Sequence, residues 1–165
     1  MRVGDSVVIG APPQDVWDYI AEPENYLRFM SGVTRWEVDG DVRSGRGARY
    51  RMLIRVGAAE IGGLIEIVEF RSPNDMAWNS ITGIDQRGRW RLRQTGKNRT
   101  RVEFRLAYGV AGGGITGWIS EVVAAPTMGR HVRRSLQQLK RQVEHERLRA
   151  EAERRRGARE RVSAV

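Results

Sequence analysis

Six stretches of two-residue periodicity follow one another between Thr34 and Leu106, separated by turn signals and with no helical stretch among them. A parallel pair of strands needs a crossover of roughly a dozen residues, so strands this closely joined pair antiparallel. Thr34, Trp36 and Val38 alternate up to a Gly40-Asp41 turn, and Gly45-Arg46-Gly47 opens the next stretch. There Ala48, Tyr50, Met52, Ile54 and Val56 share one face, and Arg49, Arg51 and Arg55 share the other with Leu53. Ile61 to Phe70 is strongly β-prone, but both its faces are partly apolar, which leaves its inward parity open. Met76, Trp78, Ser80 and Thr82 form the next face, pointed inward because an exposed Trp78 is the costlier choice. Arg87, Arg89, Arg91 and Arg93 then alternate with Gly88, Trp90 and Leu92. Past a Gly96-Lys97-Asn98 hairpin, Val102, Phe104 and Leu106 alternate with Arg101, Glu103 and Arg105.

A seventh strand precedes these six. Val3, Asp5, Val7 and Ile9 alternate until Ala11-Pro12-Pro13 stops them, and proline suits the first turn of a helix, where no backbone donor is needed. Val16, Trp17 and Ile20 recur at helical spacing, with Asp15 placed favourably for the helix dipole. Pro23 breaks the chain and a second short helix follows. At the other end Trp118, Val122, Ala125, Gly129, Val132, Leu136, Leu139 and Val143 are spaced 4-3-4-3-4-3-4, one continuous stripe on a helix. The pattern predicts a helix over about 113–156, kinked near Pro126 and stopped by Gly157, with 157–165 as a disordered tail. A sheet and one long amphipathic helix bury their apolar faces against each other. The expected class is therefore α+β: a curved seven-stranded antiparallel sheet around a long C-terminal helix, two short helices after strand 1, and an internal hydrophobic cavity between sheet and helix. Residues 1–156 form a single domain in this reading.

Composition narrows the function classes. The 165 residues contain no cysteine, which excludes disulfides, thiolate metal sites and a cysteine nucleophile. No apolar run is long enough to span a membrane, and Met1-Arg2-Val3-Gly4-Asp5 does not open like a signal peptide, so a cytoplasmic protein is expected. Net charge is +9, with 27 of the 29 basic residues arginine, the skew of a GC-rich genome. The surplus lies in residues 41–108 and 130–165, at +7 each.

Ala11-Pro12-Pro13-Gln14-Asp15-Val16-Trp17-Asp18-Tyr19-Ile20-Ala21-Glu22-Pro23-Glu24-Asn25-Tyr26 resembles the opening of START-like, helix-grip proteins. The segments Pro73 to Trp78, Gly88-Arg89-Trp90, Thr100-Arg101-Val102 and Ser135 to Lys140 are similar to sheet and terminal-helix segments of the polyketide cyclase/dehydrase and lipid-transport family. The resemblance covers residues 1–146. It implies the helix-grip fold and an apolar ligand cavity, with members that bind lipids, hormones or polyketides and others that catalyse cyclisation. The opening motif is structural, so it does not select among these.

Strand parity and the stripe place Tyr50, Met52, Trp78, Ser80, Trp90, Phe104, Trp118 and Val122 toward the hollow, as ligand contacts or as ordinary core. Gly129 leaves room on the same face. The expected ligand is a hydrophobic small molecule, lipid or polyketide-like, held by a carrier or sensor. The alternative is a polyketide cyclase, aromatase or dehydratase using polar groups of the same cavity, with Tyr50, Ser80, His131 and Glu66 as candidates. Glu66 is a catalytic candidate only if it faces inward; otherwise it pairs with an outer arginine. No cofactor and no metal site are implied, since His131 and His145 lack partners at ligand spacing. Gly112-Gly113-Gly114-Ile115-Thr116-Gly117 matches G-x-G-x-x-G, but no parallel strand follows the helix, so a lid at the cavity mouth is the better reading. The arginine-rich outer face suggests an anionic membrane surface as a partner, and the absence of interleaved aromatics argues against nucleic acid. Leu136, Leu139 and Val143 are placed either on the sheet or on a second copy in a homodimer.

Overall fold

The structure of the protein, a computed structural model, describes residues 2–109 and 121–163, with only the backbone of 121–125, 162 and 163. Its strands are β1 (Arg2–Ile9), β2 (Val33–Val38), β3 (Arg49–Val56), β4 (Ala59–Arg71), β5 (Asp75–Ser80), β6 (Gln86–Gly96) and β7 (Arg99–Tyr108). They form one antiparallel sheet in the order β1-β7-β6-β5-β4-β3-β2. Each of β2 to β7 pairs with its successor, as short connections demand, and β1 closes onto β7.

Between β1 and β2 the chain forms α1 (Pro13–Ala21), a 3-10 turn (Pro23–Asn25) and α2 (Tyr26–Phe29). Pro13 stands in the first turn of α1 with Asp15, and Val16, Trp17, Tyr19 and Ile20 are buried. The Glu22 carboxylate accepts from the Glu24 N–H at 3.3 Å and caps the next turn. The 43-residue α3 (Glu121–Ser163), roughly 65 Å long, lies chiefly along β1 and buries Met128, Val132, Leu136, Leu139 and Val143. Leu136, Leu139 and Val143 are thus spent inside the chain's own core. They are not exposed on a face that could meet a second copy.

The C-terminus departs from expectation. α3 passes through Gly157 to Ser163 instead of stopping, and Pro126 lies inside it. Glycine in a helix interior costs only about 1 kcal/mol relative to alanine, and lengthening an existing helix needs no new nucleus. Ala152, Ala158, Glu160 and the neighbouring arginines are strong helix formers. The segment 113–120, expected to be helical, and the glycine-rich 112–117 lie outside the described residues. Beyond Glu151 almost every side chain is exposed. Deleting residues 152–163 is accordingly expected to change the unfolding free energy in urea by less than about 0.5 kcal/mol, and a loss above about 1 kcal/mol would mean that this arm packs on the body.

A bulge between Ile67 and Glu69 explains the ambiguous parity of β4. Before it Ile65 and Ile67 point inward; after it Phe70 does, edge-on to Trp17 at 4.9 Å between ring centroids. Glu66 therefore faces outward and binds Arg49, Nε to Oε2 at 2.8 Å.

Candidate functional site

The space between sheet and helix is largely filled by aromatic rings in contact. Tyr26 stacks on Trp36 at 3.9 Å, Trp36 on Tyr50 at 5.2 Å, and Trp90 on Phe104 at 4.0 Å, with Trp78 edge-on to Trp36 at 6.4 Å. Trp78 reaches its place because its cross-strand partner is Gly88. A Cβ built on Gly88 would lie 1.9 Å from Trp78 Cζ2, inside the indole. The tryptophan occupies the volume that any other residue at 88 would fill.

Beside Trp78 and under α3 an interior cavity of about 30 Å³ remains. Met30, Met52 and Met128 supply much of its apolar wall, with Trp78 and Phe104. Its polar edge is Ser31, Gln86, His131 and Ser135. Three buried polar groups at or near this wall are poorly satisfied. The indole N–H groups of Trp36 and Trp78 have no acceptor among the described residues. The Gln86 amide donates only to the Met52 thioether, at 2.7 Å, and a thioether is a weak acceptor.

The polar edge ties three elements together. His131 Nε2 lies 3.1 Å from the Arg55 carbonyl, which can only accept, so Nε2 carries the proton. Nδ1 then accepts from the Ser31 hydroxyl at 3.1 Å. The Ser31 N–H donates to Ser135 Oγ at 2.9 Å, and that hydroxyl donates to the His131 carbonyl at 2.7 Å. The ring sits over Gly32, whose φ of +80° and lack of a side chain allow the approach; a Cβ there would meet Cε1 at 2.4 Å. Burial, helped by the Arg134 and Arg130 charges, holds the imidazole below its usual 6.5 against the opposing pull of the Arg55 carbonyl.

A histidine pKa lowered by folding means that the unfolded chain binds the proton more readily. The His131 contribution to stability is therefore complete above pH 6.5 and is lost as pH falls from 6.5 through the folded value. Melting temperatures recorded downward from about pH 8 should fall more steeply for the wild type than for His131→Gln over that window. Parallel curves would show that His131 titrates alike in both states.

Of the residues singled out from sequence, Met52, Trp78, Phe104 and His131 meet at this cavity. Trp90 is buried one ring farther away, against Phe104 and Phe29. Tyr50 points inward from its strand, but its hydroxyl donates to the Arg43 carbonyl at 2.8 Å, and burial pushes its pKa up to about 12. Ser80 caps the β5–β6 turn, accepting from the Gln86 N–H at 3.1 Å. Neither hydroxyl is on the cavity wall. Gly129 is half-buried and off the wall, because the helix presents Met128 there. The side chains of Trp118 and Val122 lie outside the described residues. Sequence reasoning missed Ser31, Gln86, Met128 and Ser135. Met128, Val132 and Ser135 share the 4-3 spacing that could have revealed the last two; Ser31 and Gln86 sit at element ends, where periodicity carries no signal. Among the described residues no three histidines or carboxylates converge as a metal site.

A curled seven-stranded sheet gripping one long helix, with two short helices after the first strand, is the helix-grip architecture of START-like proteins. It is similar to a Thermus thermophilus protein at 23% identity and a TM-score of 0.74, covering 87% of this chain and 97% of that one. A Streptomyces aromatase/cyclase is similar at 16% identity and 0.72, covering 87% and 93%. A START superfamily protein of Mycobacterium smegmatis is similar at 14% and 0.67, covering 87% and 97%. No curated protein sequence matches the chain. The family described as polyketide cyclase/dehydrase and lipid transport matches residues 1–144, and the chain belongs to it. None of its helices is long and apolar enough to cross a membrane, among the described residues.

Proposed function

We propose that the protein binds a hydrophobic small molecule, lipid or polyketide-like, between the sheet and α3, as a carrier or sensor. The observation that carries this reading is the mismatch at the cavity wall. Apolar, deformable side chains stand beside buried donors, Trp78 Nε1 and Gln86 Nε2, that lack a good acceptor. A ligand with an apolar body and one acceptor oxygen would satisfy both. A cavity of about 30 Å³ holds no such molecule as it stands. Methionine has three rotatable bonds and fills irregular space, so Met30, Met52 and Met128 are the side chains that would yield. Family membership supports the same class of ligand.

Native and denaturing mass spectra of freshly purified protein, followed by titration with oleate and with anthraquinone under tryptophan fluorescence, test this. A mass retained only in the native spectrum, or a saturable fluorescence change with either probe, is the expected result. A bare native mass together with no fluorescence response to either probe would overturn the reading.

A second reading, cyclisation or dehydration of a ketide, has one observation in its favour. His131 is a neutral base at the cavity edge, oriented on one side by the Arg55 carbonyl. It would take the proton next to a carbonyl through the Ser31 hydroxyl bound to Nδ1 and return that same proton to the β-hydroxyl, which departs as water. Turnover of a β-hydroxyketone that falls at low pH and disappears in His131→Gln would favour it. Turnover unaffected by that substitution would remove His131 from the chemistry.

A further inference from the structure

The outer face of the sheet carries a groove of about 970 Å³, larger than the interior cavity and on the opposite side of β6 and β7. Register makes it. On β1, β7 and β6 the outward residues stand in rows: Arg2, Ala107, Arg87; then Gly4, Arg105, Arg89; then Ser6, Glu103, Arg91. The floor is low because Gly4, Ser6, Ala77 and Ala107 bring almost no side chain. Arginines rise around it.

Charge is unevenly satisfied there. Glu69 and Asp75 both bind Arg89, Glu103 binds Arg105, and Asp5 is turned to Arg133 on α3. Every carboxylate lining the groove thus has a partner. Arg2, Arg87 and Arg101 have none among the described residues. Arg2 and Arg87 flank Ala107 from either side, their backbones two strand spacings or roughly 9–10 Å apart. Two long side chains at that separation can close on one group between them. A carboxylate satisfies one guanidinium fork with its two oxygens, whereas a phosphate has oxygens enough to meet two forks at once, and a chloride can meet neither bidentately.

We propose that this groove binds a phosphorylated small molecule, with the phosphate held between Arg2 and Arg87 over Ala107. Its volume falls at the upper end of the ~300–1,000 Å³ usual for small-ligand sites. Two other sources of phosphate fit less well. The one aromatic among the described residues that lines the groove, Trp78, is buried, so it offers no open ring face for a base to stack on. Among the described residues the exposed large apolar ones, Leu27, Val42, Ile81 and Leu148, do not line it, so none of them would insert from this groove into a lipid surface. The arginines of this site, Arg2 and Arg87, do not line the interior cavity, although Trp78 and Leu106 border both spaces.

Inorganic pyrophosphate is the probe, titrated into the full chain at about 50 and about 200 mM salt and followed by amide chemical shifts and calorimetry. Saturable binding is expected, with shifts confined to the starts of β1 and β6 and the end of β7. The double variant Arg2→Gln/Arg87→Gln should lose affinity by about tenfold or more, because both bidentate partners are gone. The variant Arg154→Gln/Arg155→Gln/Arg156→Gln, which removes more positive charge but from the projecting arm, should bind within about twofold of wild type. Unsaturable binding, shifts centred on α3, or equal losses in the two variants would each overturn the proposal. So would cosedimentation with phosphatidylglycerol vesicles that depends on Arg2 and Arg87 while pyrophosphate fails to bind, since that result assigns the arginines to a headgroup layer. All variants lie on the surface, and melting curves that match the wild type establish that each is folded.

Discussion

Gly88→Ala is expected to destabilise the protein by about 3 kcal/mol, lowering the melting temperature by roughly 6–12 °C for a domain of this length. An alanine in a strand normally gains over glycine, because it loses less backbone freedom on folding. Here the added methyl would lie 1.9 Å from Trp78 Cζ2 and 2.1 Å from Cε2. The strand cannot move aside, since Gly88 is paired with Trp78 on β5 and Leu106 on β7. The indole must leave, and it takes with it the contacts to Trp36 and Phe104. A double-mutant cycle isolates the cause. With Trp78→Ala already present, Gly88→Ala should cost nothing further, giving a coupling of about 3 kcal/mol. Additive losses in urea denaturation would show that the glycine is needed for its backbone and not for the ring above it.

That pair also marks how far the sequence could be read. Alternation placed Trp78, Gly88, Trp90 and Phe104 on one face, and the structure has them there. What alternation cannot express is that a missing side chain on one strand is filled by a ring from the next. Tyr50 and Ser80 show the same gap: their parity was legible, but their hydroxyls are taken by Arg43 and by Asp85 and Gln86. Period two tells which way a side chain leaves its strand. It does not tell how far along the barrel-like curve it stands or which polar group reaches it first. β4 was opaque for a different reason, since its bulge reverses the parity partway along and no single period fits both halves. On α3 the stripe was legible from Val132 to Val143 and drifted at its start, where Met128 faces the core in place of Gly129. The far end misled because glycine is a frequent helix stop but a weak one, and nothing after Gly157 offers an alternative to helix.

Trp78→Ala is expected to cost about 3–5 kcal/mol, the loss typical of a fully buried aromatic, and to create a ligand site the size of the ring removed. Its indole N–H has no acceptor among the described residues, so the substitution breaks no hydrogen bond that would obscure the packing term. The void would join the existing cavity beside Met52, Met128 and Phe104. An apolar void stays dry and accepts an aromatic guest. Free indole should therefore raise the melting temperature of the variant, by about 5–10 °C at a hundred times its dissociation constant, and leave the wild type unmoved. Failure of indole to stabilise the variant would mean that the core collapses into the space. In that case the methionines are mobile enough to close a void of this size, and by the same mobility to open one. If indole binds the variant but no apolar molecule ever binds the wild type, Trp78 is a plug fixed by Gly88, and the ligand reading of the interior fails. If wild-type protein takes up oleate or anthraquinone while the variant changes which of the two it prefers, Trp78 is the wall against which the natural ligand is measured.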